Sequence, residues 1–527
     1  MNMRRSFSFL MAGTAAVVLV AACSDAADQS APATDDTAVV ADTAAPTTSQ
    51  MPQTTVALST TTTVEELPDR EGVTTLHLKY GPFDIQPGQN NIATQTSIPQ
   101  PEMDGWVVGI RPDLQFEDGT VPGVDVVHLH HGVWLNAMAR DLTAPLPERF
   151  FAAGEEKTAM ALPAPYGYRY STSDHWVLNY MLHNLTPEAK QVWVTYDIDI
   201  VPDTAPEADG MVAAHPVWMD VQNGSIYPVF DALRGAGDGV TYTYPDQAVD
   251  PYKGGTALNT WTSDRDGVIV ATGGHLHPGG LHTDLSLTRD GNTAHLFRSE
   301  AKYYEPAGAV SWDVAMTVTT PDFHVQIKKG DVLSTSATYD SARASWYESM
   351  GIMVTWIGDV GGPADDPFTT AVDGPGMLTH GHLAENDNHG GETDDRYLDL
   401  TKLPSEPTDG TIDIVDWVYG QGDMNYATGV PTVKPGETIT YDNLDAPIGV
   451  GQWHTITACA APCNQSTGIA YPLADGPVIF DSGELGLGGP PTANRTTWSI
   501  PTDLAPGTYT YFCRIHPLMR GAFRVES

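Results

Sequence analysis

The sequence predicts an all-β protein built from antiparallel sandwiches. From about residue 73 onward it consists of short apolar or alternating runs, such as residues 191–200 and 314–319, separated by Gly, Pro, Asn and Asp. Many short strands with turn signals at this spacing, without a long amphipathic helical pattern, are typical of sandwiches. The length of 527 residues suggests about three domains, and a hydrophobic content of 41% is that of a globular chain.

The first 22 residues have the pattern of a bacterial lipoprotein signal peptide. Two arginines lie within the first five residues, and residues 7–22 are apolar apart from Ser8, Gly13 and Thr14. This apolar run is shorter than a typical membrane span. It ends in Leu-Val-Ala-Ala-Cys23, which resembles the lipobox. The resemblance implies that Cys23 is lipidated and holds the mature chain on the outer face of the bacterial membrane, facing away from the cytoplasm.

Residues 23–72 are predicted to form a disordered stalk. The segment from residue 24 to residue 69 contains no aromatic residue and is dominated by Ala, Thr, Asp, Pro and Ser. Such a composition cannot bury enough apolar surface to offset the entropy lost on ordering. We therefore expect the stalk to hold the folded part away from the membrane.

The charge of the chain excludes one class of partner. With 26 basic and 66 acidic residues, the formal net charge is −40. A surface this acidic repels nucleic-acid phosphates and anionic lipid. We therefore expect no nucleic-acid binding, and membrane association through the lipid anchor only.

A Gly/Asp/Pro-rich stretch, residues 361–409, is the main predicted domain boundary, and strands resume after it in residues 410–527. The stretch contains His380, His382 and His389. These histidines belong to a solvated linker, to an additional metal site, or to a segment that caps a copper site between the domains.

The last hundred residues contain the ligand types of a mononuclear copper site. Cys513, His516 and Met519 fall within seven residues and supply a thiolate, an imidazole and a weak axial thioether. His454, on an earlier apolar run, is the candidate for the second imidazole. The Cys-x2-His-x2-Met spacing, with proline after the histidine, resembles the ligand loop of amicyanin among the cupredoxins. The resemblance covers residues 411–527 and implies a Greek-key β-sandwich that holds type 1 copper.

Two further cysteines lie in the same domain. Cys459 and Cys463 form a Cys-x3-Cys pair, which also occurs in dinuclear copper sites and in copper-delivery proteins. In the dinuclear pattern the loop continues to a histidine and a methionine, whereas here Asn-Gln-Ser-Thr follows. Outside the cytoplasm a local disulfide is the favoured interpretation.

An ordered series of imidazole and thioether side chains precedes this domain. Alternate residues of a strand point to the same side, so a His-x-His pair can bind one metal ion. Thioether favours Cu(I), while methionine is a poor zinc ligand, so copper suits the series better than zinc. The candidate ligands are His130, His131, His183, His275, His277 and Met350.

This series resembles the copper type II, ascorbate-dependent monooxygenases, the family of peptidylglycine alpha-hydroxylating monooxygenase. The resemblance implies two jelly-roll β-sandwich domains, residues 73–205 and 206–360. It further implies two type 2-like mononuclear copper sites. The electron-transfer site would consist of His130, His131 and His183, and a solvent gap would separate it from the catalytic site of His275, His277 and Met350.

The implied function is hydroxylation of a C–H bond of an unknown organic substrate with dioxygen. Because a cupredoxin domain is fused to the chain, we expect Cys513 copper to relay electrons from an external donor. Gly273 occupies the position of the family's substrate-binding arginine, which makes a C-terminal glycine peptide a poor substrate. The alternative function is a non-catalytic copper-binding or electron-transfer lipoprotein.

Three ligand positions have competitors that the sequence leaves open. His128 can replace one member of the His130–His131 pair, and His175 competes with His183. At the thioether position, Met353 competes with Met350.

Overall fold

The structure is a computed structural model of the chain. It describes residues 70–124, 126–186, 188–221, 229–247, 258–304, 312–359, 362–380, 398–446, 453–459, 478–487, 495–516 and 519–527. The predicted signal peptide, the lipidated Cys23 and all but the end of the stalk lie outside these residues.

The described residues confirm the all-β prediction. They form thirty-two strands and two short 3-10 helices, Pro206–Gly210 and Leu400–Lys402. Within the described ranges, no helix has both the length and the apolar character needed to cross a membrane.

The first nine strands form two antiparallel layers. Four of them, in the order β1-β9-β3-β7, begin a long sheet, and four others form a separate sheet in the order β2-β8-β4-β5. β6 pairs with the edge of β3. The strands are β1 (Thr74–Ile85), β2 (Ile92–Gln95), β3 (Gly105–Gln115), β4 (Val127–Arg140), β5 (Pro147–Gly154), β6 (Met160–Ala161), β7 (Tyr166–Tyr170), β8 (Trp176–Asn184) and β9 (Lys190–Pro202).

Thirteen strands follow, and most of them continue the long sheet. β7 pairs in parallel with β10, after which the order is β10-β21-β14-β17-β16-β15-β19-β12. The strands are β10 (Val212–Asp220), β11 (Phe230–Ala232), β12 (Thr241–Tyr244), β13 (Thr260–Thr262), β14 (Gly267–Leu276), β15 (Gly280–Arg289), β16 (Asn292–Tyr303), β17 (Val314–Val318), β18 (Val325–Ile327), β19 (Val332–Asp340), β20 (Trp346–Ser349), β21 (Gly351–Asp359) and β22 (Met377–Leu378).

Alternation of side chains explains why these layers pack together. Along β9, Val192, Val194, Tyr196 and Ile198 are fully buried, while the residues between them are partly exposed. Successive side chains of a strand point to opposite faces, so the buried set faces the other layer. There it joins a single apolar cluster that also contains Trp134.

The remaining ten strands form a second sandwich. Its two sheets have the orders β23-β26-β32-β31-β28-β29 and β25-β24-β27-β30. β23 already belongs to this sandwich, because it pairs in parallel with β26. The strands are β23 (Ser405–Pro407), β24 (Thr411–Val415), β25 (Val418–Tyr419), β26 (Val430–Val433), β27 (Thr440–Asn443), β28 (Thr457–Cys459), β29 (Val478–Asp481), β30 (Thr497–Ser499), β31 (Gly507–Phe512) and β32 (Arg520–Val525).

One apolar cluster joins the second sandwich to the first part of the chain. Met181 of β8, Met350 and Ile352 belong to the same cluster of buried residues as Cys513 and Ile515. The segment that carries the predicted thiolate ligand therefore lies against strands that carry the upstream histidines.

Candidate metal centres

A β-bulge in β4 brings His130 and His131 to the same side of their sheet. In the pairing of β4 with β8, Leu129 lies opposite Leu182 and His131 lies opposite Met181, so His130 is an extra residue. Such an insertion breaks the alternation of side chains. The two imidazole rings consequently stack, with their centroids 4.4 Å apart and their planes 21° apart.

The His-x-His pair extends from the end of β14. His275 lies opposite Ile352 of β21, and His277 follows the last residue of the strand. The centroids of the two rings are 5.3 Å apart. Both side chains are buried, with exposed fractions of 6% for His275 and 4% for His277.

These two segments meet in one imidazole cluster, which we define as His130, His131 and His277. The Nε2 atoms of His131 and His277 are 2.9 Å apart, and one ligand atom from each of the three residues lies within 4.8 Å of the others. Burial, followed by the charges of neighbouring imidazoles, lowers the pKa of all three side chains well below the usual value. Neutral imidazole is the form that binds metal ions.

Two rings of this cluster are oriented by contacts that their Nδ1 atoms make with other residues. His130 Nδ1 is 2.8 Å from Asn90 Oδ1, and His277 Nδ1 contacts the backbone oxygen of Glu348. In both rings the Nε2 atom is thereby left to face the cluster, and His130 Nε2 has no hydrogen-bond partner among the described residues. The donor set and its unpartnered nitrogen fit a metal ion that accepts imidazole ligands.

The observed grouping differs from the predicted one. A solvent gap was expected between the His130–His131 pair and the His275–His277 pair, yet His131 and His277 are in contact. His183 was expected to join the first pair, but its ring lies 6.1 Å from that of His130 and 4.9 Å from that of His128.

The thioether ligand also has a new competitor. Met350 is buried in the apolar cluster, where its backbone N and O both bond the Tyr339 hydroxyl. Met181, which lies opposite His131 in the register, places its Sδ 3.4 Å from His131 Nδ1. Met353, the competitor that the sequence offered, belongs to a different apolar cluster.

The two histidines that competed for a ligand position, His175 and His128, lie in different surroundings. His175 is exposed and its Nε2 contacts the backbone oxygen of Thr96 at 2.6 Å, so it lies outside the cluster. His128 is buried beside His183, and burial lowers its pKa to about 4. Both ring nitrogens of His183 are buried without a partner among the described residues.

His275 belongs to a second group, together with Glu155 and Glu156. His275 Nδ1 is 3.0 Å from Glu156 Oε2, and one ligand atom from each residue lies within 4.8 Å of the others. Burial, together with the charge of Glu156, raises the pKa of Glu155 well above its usual value. Burial acts in the same direction on Glu156, but His275 outweighs it and lowers the pKa.

The third group lies in the second sandwich and consists of His454, Cys513 and His516. The Nδ1 atoms of the two histidines are 3.1 Å apart, and Cys513 Sγ is 3.7 Å from His516 Nδ1. All three residues are completely buried. Met519 is buried as well, and its backbone oxygen accepts a hydrogen bond from Cys513 N at 3.0 Å. Pro517 and Leu518 lie outside the described residues.

The surroundings of Cys513 favour a thiolate. Burial raises the pKa of the thiol, but His454 and His516 outweigh burial and lower the pKa well below its usual value. His454 is in turn fixed by Asp445, whose Oδ2 lies 3.0 Å from His454 Nε2. A thiolate and two imidazoles that converge in a buried site are the donors that copper binds well.

Arg514 anchors this group against the first part of the chain. Its guanidinium donates to the backbone oxygen of Ser345 at 2.7 Å and to Asp481 at 2.8 Å, and it lies over the ring of Tyr347. The ring of His516, which belongs to this group, is 6.1 Å from the ring of His183, centroid to centroid.

Several residues of these sites were not found from the sequence. Asn90 and Glu156 orient ligand rings from positions 40 and 119 residues away, so no local spacing reveals them. Asp445 holds His454 from nine residues away and was also not identified. Trp312 stacks on His128 with ring centroids 4.9 Å apart. For Glu156, the sequence does contain a signal, since two adjacent acidic residues, 155 and 156, directly follow an apolar strand.

Two sequence predictions lie largely or wholly outside the described residues. For the disulfide, Cys463 and the side chain of Cys459 are not described. Of the histidines between the domains, only His380 is described, and its backbone oxygen accepts a hydrogen bond from the Tyr304 hydroxyl at 3.1 Å.

Comparison with known proteins gives matches to solved structures that include variants of amicyanin. No protein-family model and no curated protein matches the chain. A reduced tryptophan-to-tyrosine variant of amicyanin is 26% identical over 23% of this chain and 85% of its own, with a TM-score of 0.13. A Cu(I) methionine-to-glutamine variant is 26% identical over 24% and 96%, with a TM-score of 0.14. A reduced proline-to-phenylalanine variant is 26% identical over 25% and 91%, also with a TM-score of 0.14. The chain is thus similar to amicyanin over about a quarter of its length.

Proposed function

We propose that this chain is an extracytoplasmic, lipid-anchored copper-dependent monooxygenase whose own thiolate site relays electrons to the upstream imidazole cluster. The observation that carries the proposal is the 6.1 Å separation between the rings of His516 and His183. His516 belongs to the thiolate group, while His183 adjoins His128 and lies 6.1 Å from His130. The two regions are therefore close enough for direct electron transfer.

The donor sets support copper in both regions. His454, Cys513 and His516, with Met519 nearby, supply the soft ligands of an electron-transfer copper site. The imidazole cluster offers neutral nitrogens with a thioether, Met181, beside them. When bound, copper supplies the redox chemistry by which dioxygen, two electrons and two protons convert a substrate C–H bond to C–OH and release water.

The residues of the chain prepare this chemistry by orientation and by exclusion of water. Asn90 holds Nδ1 of His130, and Glu156 holds Nδ1 of His275, so that Nε2 of each ring stays available. Trp312 covers His128 and His130, with ring centroids 4.9 and 4.8 Å away. A fixed, dry set of ligands lowers the reorganisation that each electron transfer requires.

A second candidate function is a non-catalytic copper-binding or electron-transfer lipoprotein. Two observations favour it. Gly273 provides no side chain to hold a substrate carboxylate, and the contact between His131 and His277 leaves the two predicted upstream sites unseparated.

Oxygen uptake by the copper-loaded full-length chain tests the proposal. With ascorbate as donor and a panel of organic substrates, we expect oxygen consumption that depends on substrate, and product oxygen that derives from labelled dioxygen. The variant His277→Ala should abolish product formation. The matched control His175→Ala alters an exposed histidine outside the cluster and should retain it. Copper loading without substrate-dependent oxygen uptake would establish the second function.

A further inference from the structure

We propose that a pocket beside His275 binds the substrate, and that the substrate is a neutral, predominantly apolar small molecule. This inference rests on the proposed function and names its substrate class. The pocket has a cavity volume of about 70 Å³, is open to solvent, and includes both His275 and Glu156 in its lining. The pocket is therefore next to the imidazole of His275, near the end of β14.

The wall of the pocket is mainly apolar. It is formed by strands β5, β14, β17, β21 and β22 together with the chain around β6, and its larger side chains include Phe151, Met160, Trp356 and Met377. Concave pockets with apolar walls and a few polar groups are typical small-molecule sites. Burial of apolar substrate surface against such a wall supplies binding free energy without any charged contact.

The described part of the pocket wall has no lysine or arginine to pair with an anionic substrate. At the position where the resembled family has its substrate-binding arginine, Gly273 lies opposite Val318 of β17. A Cβ atom on Gly273 would come within 2.8 Å of Val318 Cγ1, so the backbone packing itself opposes a larger residue there.

The polar groups of the wall point to a neutral ligand. Glu156 already contacts His275 and receives a hydrogen bond from Gly154 N at 2.9 Å, so its oxygens are engaged. Thr158 also lines the pocket, and its hydroxyl is buried without a hydrogen-bond partner among the described residues. One free hydroxyl suits a ligand with a single neutral polar group, because an unpaired ion in such a site would lose its hydration without compensation.

The test compares three probes of similar size and different charge. Benzyl alcohol, benzoate and benzylammonium are titrated calorimetrically into the anaerobic, Cu(I)-loaded full-length protein. We expect benzyl alcohol to bind at least about tenfold more tightly than either ion, with the negative heat-capacity change that accompanies apolar burial. Equal or tighter binding of benzoate or benzylammonium would overturn the proposal.

A variant that reverses the charge preference locates the site. Val318→Arg introduces a cation at the wall, so it should weaken benzyl alcohol binding and strengthen benzoate binding. A gain of benzoate binding cannot result from loss of folding. The matched control Val240→Arg changes a valine that is 61% exposed and does not line the pocket, and it should leave all three affinities unchanged. If Val318→Arg leaves the preference unaltered, the probe binds elsewhere and the proposal is wrong.

The result separates this inference from the proposed function. Binding of the neutral probe is measured without turnover, so a neutral-selective pocket in a protein that consumes no oxygen would contradict only the monooxygenase proposal. Substrate-dependent oxygen uptake with charged molecules as the preferred substrates would contradict only the pocket assignment.

Discussion

At the scale of single residues, three of the candidate ligand rings have one nitrogen held by a side chain outside the ligand set. The upstream rings of His130 and His275 are held at Nδ1, by Asn90 and Glu156, and offer Nε2. His454 shows the reverse, because Asp445 holds its Nε2 and Nδ1 faces the thiolate group. The two kinds of site therefore use different nitrogens. Such partners fix the tautomer and the direction of a ligand.

Replacement of Asn90 tests this role. Asn90→Leu removes the oxygen that holds His130 Nδ1, so we expect copper affinity of the upstream cluster to fall about 10- to 100-fold. Competition with a Cu(I) chelator measures the change. Asn90→Asp keeps an acceptor and should retain most of the affinity, and Asn179→Leu, which breaks a contact with Thr94 away from the cluster, should retain all of it. Unchanged affinity in Asn90→Leu would show that the contact has no role in metal binding.

At the scale of strands, alternation predicted much of the fold but not the arrangement of the site. The period-two pattern of residues 191–200 correctly indicated a half-buried strand, now seen as part of β9. The same rule places His130 and His131 on opposite faces of β4, whereas the bulge at His130 brings both to one face. A bulge depends on pairing with β8, which is distant in sequence, so a local pattern could not reveal it.

A buried ion network connects the two layers near the site. Arg149 of β5 contacts Asp141 and Asp220 of β10, each at 2.8 Å, and all three residues are buried. The network therefore spans the two regions that were expected to be separate sandwiches. Removal of one member leaves buried charge without its partner.

The variant Arg149→Met should lower the free energy of unfolding by about 3–5 kcal/mol, since both aspartates lose their cation. Chemical denaturation of the metal-free protein measures it. Arg169→Met provides the control, because Arg169 and Asp203 form an exposed pair whose loss should cost about 0–1 kcal/mol. Equal losses in the two variants would contradict the importance of burial.

At the scale of the whole molecule, the second sandwich lies against the first part of the chain through its ligand segment. Arg514 follows the thiolate residue directly and bonds the backbone of Ser345, just before β20. Glu348, within β20, has a positive φ of 52°, and its backbone oxygen contacts Nδ1 of His277. Ligand types and spacing could be read from the sequence. The contact between the two candidate metal regions could not, because it depends on residues 169 positions apart.

The variant Arg514→Met tests this docking. Loss of its charged hydrogen bonds should weaken the contact by about 1.5–3 kcal/mol, so electron transfer from the thiolate site should slow while its absorption band persists. Stopped-flow spectroscopy measures the rate. Arg524→Met changes an arginine whose contacts lie within the second sandwich and in the segment just before β23, and we expect it to leave the rate unchanged. A normal rate in Arg514→Met would mean that this contact does not control the transfer.

The most direct test of the electron relay is a single-turnover experiment on the fully reduced, copper-loaded chain. The protein is mixed with dioxygen and a neutral substrate, and the thiolate-to-copper absorption band of the Cys513 site is followed while product is collected. We predict that the band returns as hydroxylated product forms, and that His277→Ala suppresses both. Return of the band at the same rate in His277→Ala, or without any product, would contradict a relay from the thiolate site to the imidazole cluster.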